Sequence, residues 1–376
     1  MPLLMAFRRY WAIVFFAVLT LPTIGLLTPD LPAPMRTVIA PEARWWTKAT
    51  ERLDPYINNV FGFRGAVLSA HNTYEKWIGG SGSARVISGE GGALFLGENQ
   101  ALEQSIGQLV RPQKVEMAVD LGARLDAEMR RLGGRFVFII PPNGHTANFD
   151  LLPAYARHHK RTPTEYDLVA EGLKTRGVPF VDLRPLIEAG KAGGPVYYIL
   201  DTHWNQRGAL IAFNAAMAAV GRPDLEIAAK DAIGAPRPRL QGDLLRMKGE
   251  TRSDTPDVLY PPKAPYAGAT DGLKPLAGMV KENSARDTGE SATGRDPFVS
   301  HGFETGHDGP RIMVIGDSFT QHFWDGYLAA RASAFLWMHH RLCRFDWEAI
   351  QRFKPDILVY APTERFLPCA GQPGAK

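Results

Sequence analysis

The chain has 376 residues, of which 45% are hydrophobic and 22% are charged, and its formal net charge is +4. These values are close to globular averages, so the composition excludes a disordered chain and a multi-span membrane protein. The small, dispersed charge gives no footprint for a nucleic-acid partner. The length suits one large α/β domain with an extension, or two ordinary domains.

The first predicted element is an apolar segment. Residues 10–27, YWAIVFFAVLTLPTIGLL, carry no charge, and as a helix they would extend ~27 Å, close to the thickness of the hydrocarbon core of a bilayer. Arg8 and Arg9 precede the segment, so the positive-inside rule predicts a cytoplasmic N-terminus. We interpret residues 1–30 as an uncleaved signal anchor, which leaves the body of the chain periplasmic or extracellular. A cleaved signal peptide is the competing interpretation, because Pro22 interrupts the run.

Residues 31–100 are interpreted as a linker and an N-terminal extension, and residues 101–376 as the main domain. In this domain short apolar runs alternate with amphipathic stretches. The predicted helices are 113–132, 163–176, 206–220, 320–333 and 346–353, and the predicted strands are RFVFII, VPFVDL, VYYIL, RIMVIG, AFLWM and DILVYA. The alternation predicts an α/β fold in which helices cover both faces of a parallel sheet. Residues 240–310, dense in Gly, Pro, Ser, Thr and Asp, predict an irregular insertion.

Polar side chains follow several of these strands. In an open α/β sheet, ligands bind at the carboxyl ends of the strands, so these positions are the candidates for a functional site. They are Asn143, Asp201 with His203, Ser318, His339 with His340, and the run Thr363-Glu364-Arg365.

Ser318, His203 and Asp201 together offer the roles of a catalytic triad. A serine hydroxyl needs a base, and a neutral imidazole serves when a carboxylate fixes its tautomer. Asp201 lies two residues before His203, so it can accept the Nδ1 proton and leave Nε2 facing Ser318. A helix starting at residue 320 would also place the Ser318 N–H where negative charge is stabilised. The alternatives are a helix N-cap for Ser318 and a purely structural pair for Asp201 and His203.

Other polar residues give weaker signals. The sequence has neither a C-x-x-C motif nor zinc-ligand spacing around Asp201 and His203, so it predicts no metal and no cofactor. His339 and His340 lie next to an arginine and are interpreted as polar surface. The chain has two cysteines, Cys343 and Cys369, which either pair in an oxidising compartment or remain free thiols.

Two motifs carry a resemblance to a known family. GDSF at 316–319 resembles the serine block of SGNH-type hydrolases, and DTHWN at 201–205 resembles the corresponding motif of the bacterial polysaccharide O-acetyltransferases related to AlgJ and AlgX. In ordinary SGNH esterases the Asp-His pair follows the serine, whereas here it comes first, as in that family. Further similarity lies in VISGEGGALFL, QGDLL and TERFL, so the resemblance covers roughly residues 55–370.

The resemblance implies an SGNH-like, flavodoxin-like domain that acetylates an exported polysaccharide through an acetyl-serine on Ser318, with His203 as general base and Asp201 orienting it. It also implies a partner, a multi-pass membrane-bound O-acyltransferase that delivers the acetyl group across the membrane. The alternatives are a periplasmic carbohydrate acetyl esterase and a polysaccharide-binding protein without catalysis, since a fold does not fix a function.

Two further residues are substrate candidates. The family often has a lysine after the first strand, whereas this chain has Asn143, which we expect to act either as a second oxyanion donor or as a plain turn residue. Arg365, just past the last strand, is expected to hold an anionic sugar group. The alternative for Arg365 is a surface ion pair with Glu364 or another neighbour.

Overall fold

The computed structural model describes residues 10–20 except 12 and 18, residues 85–281 except 269, and residues 298–367. The described residues from 85 onward belong to one compact unit, and residues 10–20 belong to another. The helices of the larger unit are α1 (Ala101–Ser105), α2 (Pro112–Arg131), α3 (Gly144–Ala147), α4 (Ala154–His158), α5 (Glu165–Thr175), α6 (Arg184–Gly190), α7 (Gln206–Ala219), α8 (Ala229–Ala232), α9 (Asp243–Met247), α10 (Asp325–Arg331) and α11 (Glu348–Phe353).

The strands are β1 (Val86–Ser88), β2 (Leu94–Leu96), β3 (Arg135–Ile139), β4 (Phe180–Val181), β5 (Arg237–Arg239), β6 (Asp257–Leu259), β7 (Lys274–Pro275), β8 (His301–Glu304), β9 (Arg311–Gly316), β10 (Ala334–His339) and β11 (Ile357–Ala361). Seven of them form one sheet in the order β4-β3-β11-β9-β10-β8-β7. The pairings from β4 to β10 are parallel, and those that add β8 and β7 are antiparallel. The chain therefore folds around a mixed sheet.

The side chains of the central strand β9 show how helices cover both faces. Successive residues of a strand point to opposite faces. Ile312 lies in a core that also contains Phe213 of α7, whereas its neighbour Met313 lies in a second core with Leu125 of α2. The sheet is thus buried on both sides, as expected from the near-continuous apolar run of RIMVIG.

Polar residues just before α5 and α7 fix where these helices begin. The Thr164 hydroxyl accepts a hydrogen bond from Asp167 N at 3.2 Å, and the Asp167 carboxylate accepts one from Thr164 N at 2.9 Å, which forms a capping box. Asn205 Oδ1 accepts from Arg207 N at 2.9 Å. The last residue of the DTHWN motif is therefore the cap that anchors the motif to α7.

Three predictions about the elements are wrong. The sheet is not wholly parallel, because His301–Glu304, inside the predicted insertion, pairs antiparallel with β10. VYYIL does not form a strand, and only Tyr197 within it makes a β-bridge, to Trp204. The helix predicted from residue 320 begins at Asp325, after a series of turns.

The hairpin of β1 and β2 lies in the same unit as the sheet, although the sequence places the start of the domain at residue 101. Val86 and Leu94 pack with Leu200 and Leu244 in one hydrophobic cluster. The hairpin therefore supports the segment that leads into the DTHWN motif.

The described residues between 10 and 20 are helical and exposed. Within the part of the chain that the structure describes, no helix has both the length and the apolar character needed to cross a bilayer. The rest of the predicted anchor and the predicted linker as far as residue 84 lie outside the described residues.

Cys343 is buried and disulfide-bonded, so it is not a free thiol. Its Sγ lies 3.6 Å from the Tyr360 hydroxyl of β11. Cys369, the only other cysteine of the chain, lies outside the described residues.

Candidate active site

The corner that carries Ser318 lies at the carboxyl end of β9, in the middle of the sheet. A Cβ at Gly316 would lie only 2.2 Å from Thr320 Oγ1, so the tight turn requires glycine at this position. Thr320 N and Gln321 N both donate to the Asp317 carbonyl, each at 3.0 Å. The chain therefore turns before α10 begins, and the Ser318 N–H lies in this turn rather than at the start of a helix.

Asp317 holds the corner in place. Its carboxylate accepts hydrogen bonds from Phe319 N at 3.0 Å and from Thr363 N and Thr363 Oγ1, each at 2.8 Å. Asp317 is thus the local cap and ties the corner to the end of β11. Because α10 starts further along and has no side-chain cap, the N-cap alternative for Ser318 is wrong.

Asp201 and His203 form a direct pair. His203 Nδ1 lies 2.7 Å from Asp201 Oδ1, with Asp201 buried and the His203 side chain 20% exposed. With Asp201 on Nδ1, the second ring nitrogen of His203 is left for other contacts.

Aromatic residues connect this pair to the serine corner. Trp204 Nε1 donates to the Phe319 carbonyl at 2.8 Å, and both residues are fully buried. The His203 ring lies 5.0 Å from the Phe319 ring and 6.0 Å from the Phe323 ring, centroid to centroid. The residues that directly follow His203 and Ser318 are therefore in contact, and the structure brings the two motifs together.

A fixed positive charge supports the Asp201 carboxylate. Asp201 Oδ2 accepts from Arg239 at 2.8 Å and from the Asp243 backbone N–H at 3.2 Å. Burial raises the pKa of Asp201, but the hydrogen bonds and charges of His203 and Arg239 outweigh burial and hold this pKa below its ordinary value. Asp201 is therefore an ionised hydrogen-bond acceptor at neutral pH.

Asp243 is a site residue whose role sequence reasoning missed. Its carboxylate accepts from Thr202 N at 2.7 Å and from Thr202 Oγ1 at 2.5 Å, and it lies 3.6 Å from His203 Nδ1. Burial and the negative charge of Asp201 raise the pKa of Asp243. The sequence signal for Asp243 was the QGDLL motif, which is part of the family resemblance. The sequence did not indicate that the aspartate of this motif contacts Thr202 and His203.

A second buried carboxylate positions the segment before Asp201. Asp257 on β6 accepts from Ile199 N and Leu200 N, each at 2.8 Å. Burial raises the pKa of Asp257 to about 6 despite these bonds. The end of the run VYYIL is therefore fixed by side-chain hydrogen bonds from Asp257, outside the seven-stranded sheet.

Asn143 follows β3 and is 1% exposed. Its backbone N–H donates to Glu364 Oε2 at 2.8 Å, and its side-chain amide donates to Ser105 Oγ at 2.9 Å. Asn143 Oδ1 accepts from Arg365 N at 3.3 Å. The residue thus links the ends of β3 and β11. Its NH₂ group has a second hydrogen, and the predicted oxyanion role requires such a donor.

Arg365 lies over the residue that follows Ser318. Its guanidinium carbon is 5.2 Å from the centre of the Phe319 ring and 4.9 Å from that of Phe366, within the range of cation–π contacts. Of the predicted alternative, an ion pair with Glu364 or another neighbour, the Glu364 pair is wrong, because the Glu364 carboxylate accepts from Asn143 N and Thr146 Oγ1 instead. The positive charge of Arg365 is thus held beside the serine corner.

Glu364 is 1% exposed and lies under this part of the site. Its carboxylate accepts from Asn143 N at 2.8 Å and from Thr146 Oγ1 at 2.9 Å. Burial raises the pKa of Glu364 to about 7, and the two hydrogen bonds only partly oppose this. Glu364 therefore changes its charge near neutral pH.

A small pocket adjoins the Asp201 side of the site. It is lined by Asn143, Arg365, Asp201 and Thr202 together with apolar residues of β2 and α9. Ser318 and His203 are not among its lining residues. The pocket nevertheless brings both substrate candidates, Asn143 and Arg365, next to the carboxylate of the Asp201–His203 pair.

His339 and His340 are not polar surface, and this prediction is wrong. They are 4% and 0% exposed, because β10 continues to His339 inside the sheet. His340 Nε2 lies 3.8 Å from Asp317 Oδ2. Burial lowers the pKa of His340 to about 4, so this imidazole is neutral behind the serine corner.

Asp201, His203 and Asp243 each offer a ligand atom within 4.8 Å of the others, the spacing that a metal ion would need. The charges around them do not favour an ion. Arg239 already bonds Asp201 Oδ2, and a bound cation would lie close to this guanidinium. The guanidinium therefore competes with an ion for this carboxylate.

Comparison with known families identifies one match. The family described as SGNH hydrolase-like domain, acetyltransferase AlgX, matches residues 86–275. This range includes Asn143, Asp201 and His203 and ends before Ser318. Among curated proteins, no match is found.

Solved structures resemble the chain in fold. Bacillus cereus PatB1 with a sulfonyl adduct has a TM-score of 0.52 at 15% identity, over 77% of this chain and 96% of that chain. The O-acetyltransferase domain of Pseudomonas putida AlgJ has a TM-score of 0.45 at 20% identity, over 75% and 92%. Pseudomonas aeruginosa AlgX has 0.41 at 14%, over 77% and 68%. At 15% identity the PatB1 match establishes the fold alone.

Proposed function

The chain belongs to the family of the SGNH hydrolase-like domain of acetyltransferase AlgX, and on this premise we propose that it transfers an acetyl group to a hydroxyl of an exported bacterial polysaccharide. The observation that carries the proposal is the 2.7 Å contact between His203 and Asp201, joined to the Ser318 corner through Trp204 and Phe319. The His203–Asp201 contact supplies a base and the carboxylate that fixes it, and the proposal adds Ser318, in the neighbouring turn, as the nucleophile.

In the first half of the reaction, Ser318 Oγ attacks the carbonyl carbon of an acetyl donor while His203 Nε2 takes the hydroxyl proton. The tetrahedral intermediate collapses when the bond to the donor's leaving oxygen breaks, and His203 returns the proton to that oxygen. The products are acetyl-Ser318 and the deacetylated donor. Asp201 stays ionised and stabilises the positive charge that His203 carries between the two transfers.

In the second half, a sugar hydroxyl replaces the donor. His203 takes the proton of this hydroxyl as its oxygen attacks the acetyl carbon, and the bond to Ser318 Oγ breaks. The proton then passes to Ser318 Oγ, which restores the free serine and releases an acetylated sugar. The proposed reaction needs no cofactor on this chain.

Charge develops on the acetyl oxygen in both halves, and three groups are proposed to stabilise it. The Ser318 N–H lies in the turn after β9, and Asn143 retains one amide hydrogen. Arg365 contributes a positive charge over Phe319. Donors that are fixed before the reaction stabilise such an oxyanion without further reorganisation. Arg365 is also placed to hold an anionic group of the polymer.

The proposed location is the bacterial inner membrane, with residues 1–30 as a single-pass anchor and the catalytic unit in the periplasm. The proposed partner is a multi-pass membrane-bound O-acyltransferase that supplies acetyl groups from the cytoplasm, and the anchor would keep the catalytic unit beside it. The charge-free run 10–27 after Arg8 and Arg9 supports this arrangement. Recovery of the full chain, uncleaved, in a membrane fraction would test it.

The experiment that tests the transferase combines an acetyl donor ester with unacetylated oligosaccharides from a panel of exopolysaccharides. Mass spectrometry reads acetylated sugar and free acetate, with wild type and Ser318→Ala in parallel. Proximity gives a bound hydroxyl an effective molarity of ~10⁵ M or more against the ~55 M of water. We therefore expect acetylated sugar in the wild-type reaction and none with Ser318→Ala.

Two other results would overturn the assignment. If the wild type releases only free acetate and removes esters from acetylated oligosaccharides, the chain is an esterase. If binding of oligosaccharides occurs without any turnover that depends on Ser318, the chain is a binding protein that has kept the fold.

A further inference from the structure

A second cluster of metal-ligating side chains lies outside the catalytic pair. His301 opens β8, His322 lies in the turns before α10, and Asp325 is the first residue of α10. Each offers one ligand atom within 4.8 Å of the others. We propose that His301, His322 and Asp325 bind a divalent transition-metal ion, of which Zn²⁺ fits best.

Each histidine nitrogen lies at ligand-to-ligand distance from the Asp325 carboxylate. Zinc binds histidine nitrogens and carboxylate oxygens at about 2.0–2.2 Å, which places neighbouring ligand atoms about 3.3 Å apart in a tetrahedron. His301 Nε2 lies 3.0 Å from Asp325 Oδ1, and His322 Nδ1 lies 3.2 Å from Asp325 Oδ2. The two contacts use different oxygens of Asp325, so the ion would be held either by both carboxylate oxygens or by one of them after a histidine has moved.

The His301 ring is already oriented for such a role. It stacks on Trp337 at 5.2 Å with an interplanar angle of 20°, and its Nδ1 lies 3.4 Å from the Val299 carbonyl. A metal-bound histidine usually donates its other ring N–H to a carbonyl or carboxylate. When Nδ1 of His301 donates in this way, the lone pair of Nε2 faces the Asp325 carboxylate, and a cation between them removes the repulsion.

The exposure of the three side chains suits an ion that enters from solvent. The side chains of His301 and Asp325 are 20% and 13% exposed, whereas that of His322 is 76% exposed. Two ligands are therefore fixed in the fold, and the third is reachable from outside. A water molecule can then fill the fourth position.

His322 is held towards the cluster by an uncommon backbone conformation. Its φ is +61°, in the left-handed region that few residues other than glycine adopt, although histidine does so more often than most. The planes of the His322 and His301 rings are 11° apart and their centroids are separated by 5.8 Å, so the two rings are neighbours. Strained backbone conformations cluster at functional sites, where the surrounding structure maintains them.

A bound ion would connect β8 to the segment between Ser318 and α10. The same segment carries Phe323, whose ring lies 6.0 Å from that of His203. The ion would therefore fix the position of this segment, which forms one wall of the candidate active site. Its existence does not depend on the acetyl-transfer chemistry, because metal binding is measured without a substrate.

The test uses the tag-free full chain, stripped with EDTA and titrated with ZnSO₄ by calorimetry, with the metal content measured after desalting. We expect one equivalent of zinc and a rise in Tm on binding. His322→Ala should weaken binding at least ~10-fold, since even loss of an outer-shell partner costs about that much. His307→Ala, an exposed histidine between β8 and β9, is the matched control and should bind as the wild type does.

Absence of zinc binding at micromolar concentrations, or equal affinity in His322→Ala and wild type, would overturn the proposal. So would a third pattern, in which His203→Ala abolishes binding while His322→Ala retains it, because the ion would then belong to Asp201, His203 and Asp243. His322 is exposed, so His322→Ala is expected to fold, and a thermal melt without metal checks this.

Discussion

Trp204 donates its indole N–H to the carbonyl of Phe319 at 2.8 Å, and both residues are fully buried. The bond joins the residue after His203 to the residue after Ser318. The bond therefore fixes the segment that carries the proposed base against the segment that carries the proposed nucleophile.

Trp204→Phe should lower kcat about tenfold or more and destabilise the protein by about 1–3 kcal/mol, because the Phe319 carbonyl loses its donor in a buried position. The control is Trp324→Phe, which also removes a buried indole hydrogen bond, from Nε1 to the Ala209 carbonyl at 3.1 Å. Steady-state kinetics and urea unfolding on both variants measure the two effects. An equal fall in kcat for both would show that Trp204 acts through stability alone.

Ser318→Ala and His203→Ala should each reduce esterase turnover on a chromogenic acetyl ester by about 10⁴–10⁶, since the members of a triad act as a unit. Asp201→Ala should cost less, because Asp201 orients and stabilises without reacting. Each variant is first compared with the wild type by thermal melt. Turnover of Ser318→Ala at the wild-type rate would contradict the proposed nucleophile.

Arg239→Met should reduce kcat/KM about tenfold and move the titration of the Asp201 carboxyl, followed by NMR, to higher pH. The reason is that the guanidinium beside Asp201 Oδ2 helps to keep the pKa of Asp201 low, and its removal raises this pKa. Arg239→Lys keeps the charge and should retain more activity. Arg237→Met, at an exposed residue of the same strand β5, is the control, and an unchanged Asp201 titration in Arg239→Met would argue against this role.

Glu364 should make folding stability depend on pH. Its pKa in the folded protein is about 7, against an ordinary 4.5, so the native state binds more protons between these values. Stability from this group is complete below pH 4.5 and falls by up to about 3 kcal/mol as the pH rises through 7.

Glu364→Gln removes this titration while keeping partners for Asn143 N and Thr146 Oγ1. Urea unfolding at pH 5 and pH 7 should therefore show wild type losing more stability than Glu364→Gln. Asp257, whose pKa is also raised, is present in both proteins, so the difference between them isolates Glu364. Parallel pH dependence in the two would show that Glu364 does not titrate in this range.

The elements that sequence reasoning found are those with strong local patterns. Four strands, β3, β9, β10 and β11, are apolar runs buried on both faces. The helices α2 and α7 are long and amphipathic. The pattern of apolar residues therefore separates these elements from loops. The Ser318 motif could be found because it follows β9 at the edge where strand ends converge. The His203 motif follows VYYIL, which does not form a strand, so its Asp-x-His pattern identified it and not a strand end.

What sequence reasoning missed depends on contacts between distant segments. His301–Glu304 becomes an edge strand only by pairing with β10, since its four residues HGFE have no alternating pattern of their own. Asp243 and Arg239 reach the Asp201–His203 pair from about 40 residues away, and nothing local marks them as its partners. His339 and His340 have a polar sequence, but their burial is set by the sheet around them.

β11, the last described strand along the chain, holds the two halves of the sheet together. β11 lies between β3 and β9 and pairs with both, so it is the only described strand that joins the half of the sheet with Asn143 to the half with Ser318. Until residue 361 has left the ribosome, the nascent chain holds two sheet fragments, each with an unpaired edge, and such edges promote aggregation. A product that stops before β11 therefore lacks the strand that joins the Asn143 half of the sheet to the Ser318 half, and its candidate site is not assembled.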